Sequence, residues 1–247
     1  MKAGAIQAIV MAGGKGTRLL PYTAVMPKPL MPIGDAPVLE RLLRQLGRAG
    51  LRRICLAVLH HRQLIQAYFG DGRSLGLEIS YAIEDHPLGT CGPVSQVIDA
   101  MEPDFLLLNA DLFTDLGFAA LLASHREKSA DATVALQRRL VTQEFGVADV
   151  DEQGRITALR EKPTAEHHLV MGVYALRREA IRPWLRPGQR LDMPELLDRM
   201  LLAGLKVDGF ARDCVWLDIG RPEDYARAQE MALNPEPAVP GRVARIA

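Results

Sequence analysis

The sequence predicts an α/β fold: a doubly wound, mostly parallel mixed sheet with smaller antiparallel additions. Three observations predict it. Short apolar runs alternate with amphipathic segments through the first half of the chain, and that alternation builds βαβ units with parallel strands. Several runs are apolar at consecutive positions, the mark of a strand covered on both faces. Glycines and a carboxylate cluster just beyond the ends of those runs, where open α/β sheets take their ligands.

Residues 6–12 (IQAIVMA) open the series as a buried strand. Residues 37–47 carry Val38, Leu39, Leu42, Leu43 and Leu46 at helical spacing, and Ala49 and Gly50 close that helix. Residues 53–60 read as the second strand, and 61–69 as a helix ended by Gly70, Asp71 and Gly72. Residues 77–84 alternate Leu77, Ile79, Tyr81 and Ile83 as a third strand. A helix is expected over 93–101, with Pro93 tolerated in its first turn. Residues 105–108 form a fully apolar fourth strand running into Asn109, Ala110 and Asp111.

The second half is less regular. Helices are expected over 115–128, 193–202 and 222–233, and strands over 133–136, 169–176 and 205–211. Residues 147–150 and 156–159 flank Asp151, Glu152, Gln153 and Gly154 as a hairpin. No internal repeat is present, and the residues after 233 form a proline-rich tail.

Thirty acidic and thirty basic side chains cancel, which argues against a non-specific nucleic-acid binder, since that needs a basic surface. Cys55, Cys91 and Cys214 have no CxxC spacing, so a zinc site is not expected and reduced thiols in the cytoplasm are. No apolar run approaches the roughly 18 residues of a membrane span. The run after Lys2 is too short for a secretory leader and exits into Gly-Gly-Lys-Gly.

The chemistry concentrates in residues 6–32. Gly13, Gly14 and Gly16 follow the first strand, and glycines there let successive backbone N–H groups converge on an anion. Thr17, Arg18 and Lys28 add a hydroxyl and two cations. The stretch therefore reads as a polyphosphate site. It is not a P-loop, because Gly16 is followed by Thr17 and Arg18. It is not the dinucleotide fingerprint either, whose third glycine is replaced by Leu19. Pro21, Pro27, Pro29 and Pro32 forbid a long helix. Asp111 and Asp218 each close an apolar run. Each could cap the next helix, or the two could share one Mg²⁺.

The strand, AGGKGTRL, a proline and PKPL-P resemble the signature of the sugar-1-phosphate nucleotidylyltransferases, and the resemblance extends to about residue 233. Phe145-Gly146-Val147, Glu161-Lys162-Pro163, Met171-Gly172-Val173 and WLDIGRPEDY (216–225) follow in family order. The loop PLGTCGP (87–93) is similar to the base-reading loop of GDP-mannose pyrophosphorylase-like members, with Cys91 in place of alanine. The hexapeptide solenoid that some relatives carry is not expected.

The resemblance implies a GT-A, Rossmann-like nucleotidyltransferase domain over 1–233. Residues 1–110 would be mainly nucleotide-binding and 111–233 mainly sugar-phosphate-binding. It implies in-line attack of a sugar 1-phosphate on an NTP, with Mg²⁺ on Asp111 and Asp218. Arg18 and Lys28 would meet the phosphates, and Lys162 the sugar phosphate. Ala12, Gly13, Gly14, Gly16, Thr17, Glu84, Pro87, Gly89 and Thr90 would hold the nucleotide; Asn109, Gly146, Glu161 and Gly172 would face the sugar. Glu84 stands where pyrimidine-using relatives have glutamine. A carboxylate only accepts, which suits the two adjacent donors of guanine and favours GTP; a uridylyl- or thymidylyltransferase is the alternative, and a non-catalytic nucleotide-sugar-binding module is the reading outside the enzyme class. A homodimer is the implied assembly. Asp192 reads as a helix N-cap without chemistry.

Overall fold

The computed structural model describes residues 4–234; the proline-rich stretch after Asn234 lies outside them. In chain order the strands and helices are β1 (Ile6–Met11), β2 (Pro32–Ile33), β3 (Ala36–Pro37), α1 (Val38–Arg48), β4 (Arg53–Val58), α2 (Arg62–Phe69) and β5 (Glu78–Ile83). There follow β6 (Met101–Asn109), β7 (Leu112–Thr114), α3 (Phe118–Glu127), β8 (Ala132–Thr142), β9 (Val147–Val150), β10 (Ile156–Arg160) and β11 (Thr164–Arg177). The last are α4 (Arg178–Ile181), α5 (Met193–Leu202), β12 (Val207–Ala211), β13 (Trp216–Asp218) and α6 (Pro222–Leu233).

Seven strands form one sheet in the order β12-β8-β11-β6-β1-β4-β5. β6, β1, β4 and β5 are mutually parallel, and β12 is parallel to β8. Only β11 runs against both its neighbours. Three two-stranded antiparallel pieces complete the β structure among the described residues: β2–β3, β9–β10 and β7–β13.

Both sheet faces are buried, and the strand alternation divides the core in two. Ala8, Val10, Ile54, Leu56, Leu106 and Leu108 face α1, α2 and α3. Ile9, Cys55, Ala57, Phe105 and Leu107 face Val94, Ile98, α4 and α5. Burial on both sides is why these strands carry apolar residues at consecutive positions through their centres. A third, small cluster seats α6 against Ile33, Val38, Leu217 and Ile219. No helix among the described residues is long and apolar enough to cross a membrane.

The helix expected over 93–101 is instead two 3₁₀ turns, Gly92–Gln96 and Ile98–Ala100, and Met101 begins β6. Val94, Val97 and Ala100 each donate to the carbonyl three residues back. A 3₁₀ turn rises about 2.0 Å per residue against about 1.5 Å in an α-helix. The segment thus covers more length while burying Val94 and Ile98 and delivering Met101 to the sheet. The strands expected over 133–136 and 169–176 are longer than their apolar runs, because β8 and β11 continue past the core as an exposed ribbon.

Candidate active site

The C-terminal end of β1 opens onto the glycine loop. A side chain on Gly13 would place its Cβ 2.8 Å from Glu84 Oε1, whereas one on Gly14 would meet nothing within 4 Å. Gly16 turns the chain at φ 67°, and the Thr23 hydroxyl donates to its carbonyl at 2.8 Å. The prolines then hold the chain in single 3₁₀ turns, Thr17–Leu19, Tyr22–Ala24 and Lys28–Leu30, so no long helix forms.

Those turns bury Lys28 to 7% exposure. Its ammonium donates to Asp111 Oδ2 and, at 3.3 Å, to Asp218 Oδ1. Arg18 Nη2 lies 3.4 Å from Asp218 Oδ2. The two aspartates are 107 positions apart in sequence, yet local structure forces them together: β7 and β13 pair with Asp218 opposite Leu112, and the Ile219 N–H donates to Asp111 O at 2.9 Å. Gly220 leaves room for the cluster. Its N–H donates to Asp218 Oδ1 at 2.8 Å, and a Cβ there would lie 2.8 Å from Arg18 Nη2 and against Lys28 Nζ. Partial burial alone would raise the Asp218 pKa; the Lys28 ammonium, the Gly220 N–H and Arg18 outweigh it and hold the carboxyl below its usual range.

Both carboxylates reach one ammonium nitrogen, so one cation can bridge them. Among the described residues no group of three or more His, Cys, Asp or Glu side chains gathers to hold a metal. A two-carboxylate set fits a hard divalent ion that draws its other ligands from phosphate and water.

Beside this cluster is a cavity of about 350 Å³ lined by Gly13, Gly14, Glu84, Pro87, Gly89, Thr90, Asn109 and Asp111 among others. Of the other residues expected at the nucleotide, Ala12 is buried, with its N–H on Ala57 O at 2.8 Å, and Thr17 is exposed. Glu84 is 4% exposed; its Oε2 accepts the Leu88 N–H at 3.0 Å. Burial pushes its pKa up, against the opposing pull of that hydrogen bond and of His86.

Arg190 and Asp192 also line the cavity and were not singled out as site residues from the sequence. Asp192 precedes α5 but makes no side-chain capping bond. Its Oδ1 instead accepts the Thr90 N–H at 2.9 Å, and Thr90 Oγ1 accepts the Met193 N–H at 2.8 Å. The cap comes from Thr90, a residue far away in sequence, and Asp192 is free to hold the loop.

Towards the second half, Gly172 adopts φ 73°, and a Cβ on it would lie 2.5 Å from Asn109 Nδ2. A Cβ on Gly146 would lie 3.1 Å from Glu161 Oε2. Lys162 is exposed at φ 41°. The structure thus joins Asn109 to Gly172 and Gly146 to Glu161, and no hydrogen bond or ion pair links Lys162 to Lys28, Asp111 or Asp218.

A doubly wound sheet with a glycine loop at the end of its first strand, a buried lysine on paired carboxylates and an adjoining cavity is the layout of a nucleotide-using α/β transferase. The chain belongs to the nucleotidyl transferase family, whose model matches residues 7–234. It is similar to a mannose-1-phosphate guanylyltransferase of Mycobacterium tuberculosis, 34% identical over 96% of this chain and 68% of that one. A D-glycero-alpha-D-manno-heptose 1-phosphate guanylyltransferase of Campylobacter jejuni is 31% identical over 89% of this chain and 97% of its own. Among solved structures, HddC from Yersinia pseudotuberculosis complexed with GMP-PN aligns with a TM-score of 0.70 and 25% identity, over 91% of this chain and 98% of that one. The chain therefore spans about two thirds of the mycobacterial relative and nearly all of the Campylobacter one.

Proposed function

We propose that this chain condenses GTP with a sugar 1-phosphate of the mannose or heptose type, giving a GDP-sugar and pyrophosphate. The observation that carries the reading is the meeting of Lys28, Asp111 and Asp218 beside the glycine loop. A phosphate monoester oxygen of the sugar 1-phosphate attacks the α-phosphorus, the new P–O bond forms in line, and the bond to the β-phosphate breaks as pyrophosphate leaves. The attacking oxygen is already anionic at neutral pH, so no general base is needed. Catalysis is positioning and charge neutralisation.

In this reading Arg18 and the N–H groups around Gly13, Gly14, Gly16 and Thr17 hold the β- and γ-phosphates, and Lys28 meets the α-phosphate. Asp111 and Asp218 would hold Mg²⁺, which supplies charge neutralisation on the phosphates when bound. Residues up to 110 carry the nucleotide. Those from 111 to 233 carry the sugar phosphate, with Lys162 anchoring its phosphate and Asn109, Gly146, Glu161 and Gly172 facing the sugar. Guanine is favoured by Glu84 at the cavity wall and by the guanylyl relatives. The buried free thiols Cys55 and Cys91 suit the reducing cytoplasm. A homodimer is the assembly taken from the family resemblance.

The test is pyrophosphate release from a matrix of the common NTPs against a panel of sugar 1-phosphates with magnesium. GTP with a mannose-type or heptose 1-phosphate should give the highest kcat/KM. Asp111→Asn should leave circular dichroism unchanged and lower kcat by at least about 10²-fold; near-normal turnover would remove that carboxylate from the mechanism.

A further inference from the structure

We infer that Arg190 is a specificity-determining residue of the base pocket: held across Asp192, it donates to the O6/N7 edge of guanine while Glu84 accepts from N1–H and the 2-amino group. The inference rests on the guanylyl reading above.

The residues around Arg190 are built into the pocket wall. The Leu191 N–H donates to Leu88 O at 2.9 Å, and the N–H groups of Cys91 and Gly92 return to Leu191 O at 2.9 and 3.0 Å. Asp192 and Thr90 add the bonds described above. The approach is so close that a Cβ on Gly89 would lie 2.6 Å from Leu191 O. Loop 87–92 and segment 189–193 are therefore one zipped unit. What fixes the loop also fixes the backbone that carries Arg190, whose side chain is 70% exposed and, among the described residues, tied to Asp192 alone.

Arg190 Nε and Nη2 both donate to Asp192 Oδ2, at 3.2 and 2.9 Å. That bond pair spends one edge of the guanidinium and fixes its plane. The Nη1 edge has no acceptor among the described residues, and the side chain lines the same cavity as Glu84. The pocket therefore offers a pure acceptor on one wall and a pure donor on another. Guanine matches that pair: N1–H and the 2-amino group for the carboxylate, O6 and N7 for the guanidinium. Adenine would turn an amino group towards the donor and a bare N1 towards the carboxylate. Glu84 alone does not read N7, and neither do the backbone groups it holds.

The decisive substrate is 7-deaza-GTP, which lacks N7 and keeps the rest of the edge. Wild-type enzyme should use it with kcat/KM about tenfold below GTP, the scale of one specific base contact. In Arg190→Met, which leaves no donor, kcat/KM for GTP should fall at least to the wild type's 7-deaza-GTP value, because the O6 contact goes with the N7 one, and the two substrates should become equal. Discrimination against ATP should narrow in step. If Arg190 only steadied Asp192, the variant would lose both substrates in proportion and keep the tenfold ratio, which overturns the inference. Equal use of both substrates by the wild type overturns it without any variant. A wild type that prefers UTP or dTTP to GTP overturns the guanylyl reading itself, a result separable from the other two.

Discussion

Glu84 carries a carboxylate into a nearly closed place, with one oxygen on the Leu88 N–H and the other facing Gly13. Burial, the largest influence, raises its pKa above the unfolded value. The stability linked to this group is therefore complete below the unfolded pKa and is lost as pH rises through the folded one. Once ionised, the group weakens the empty protein, and a base with two N–H donors relieves it. Glu84→Gln should accordingly raise Tm at pH 7.5, with the gain fading as pH falls into the carboxylate range. It should lower kcat/KM for GTP by about 1–3 kcal/mol of discrimination and move preference towards UTP or dTTP. A melting series across pH with an NTP panel checks both; a less stable variant at pH 7.5 would contradict the argument. Asp218 has the opposite sign: its lowered pKa gives stability above the usual carboxylate value that is lost as pH falls through the folded one. Lys28→Met leaves two facing carboxylates without their cation. It should lower Tm by about 5 °C and turnover by at least about 10²-fold. Millimolar Mg²⁺ alone should restore part of that Tm while scarcely moving the wild type. Asp111 and Asp218 stand out in the sequence because each closes an apolar run, and Arg18 and Lys28 because they follow the glycines after the first strand; the structure brings the four side chains together. Arg190 and Asp192 were not legible, because an aspartate before Met-Pro-Glu reads as a cap, and only the fold reveals that Thr90 had taken that task.

At the scale of elements, the loops carry two kinds of glycine, and sequence does not tell them apart. Gly89 is structural: φ is 81° and a Cβ would strike Leu191 O and Asp192 Oδ1. Gly89→Ala should cost about 1–3 kcal/mol, lower Tm and raise KM for the NTP together, since the zip to 189–193 must open. Gly14 borders open space in the cavity. Gly14→Ala should leave Tm within a degree or so of wild type, as surface changes do, yet raise KM for the NTP by obstructing the backbone's approach to phosphate. Thermal melts beside steady-state kinetics separate the two, and a shared profile would refute the distinction. The parallel strands were legible because burial on both faces writes consecutive apolar residues. The ribbon beyond residue 136 was not: Arg138, Arg139, Glu166, His167 and His168 sit on paired strands outside the core, where no burial period marks the sequence. The two 3₁₀ turns were read as one helix because Val94, Val97 and Ile98 share a helical spacing whether the winding is tight or loose.

For the molecule as a whole, β6 is the strand on which both halves depend. It pairs with β1 on one side and with β11 on the other, and Phe105, Leu106, Leu107 and Leu108 are fully buried. The order of strands was not legible, since β11 arrives late in sequence and enters antiparallel between β6 and β8. That insertion joins the halves into one sheet. A chain ended at residue 110 would keep β1, β4, β5 and β6 but bare one edge of β6, nine residues long and apolar at its centre. It would also uncover Leu107, Phe105 and Ile9 where α5 packs. An exposed flat apolar edge is a template for pairing with other chains. Residues 1–110 expressed alone should therefore aggregate and bind no GTP, although most of the loops proposed to hold the nucleotide are present in them. Size-exclusion chromatography and nucleotide titration check this; a monomeric fragment that binds GTP would show the two halves to be independent. The full chain should melt in one transition, and GTP with Mg²⁺ at about 100 times Kd should add about 2.7 kcal/mol to it. The reason is that Asp218, near the far end of the fold, reaches Lys28 through β13 and β7, so a site assembled from both ends disappears when either end unfolds.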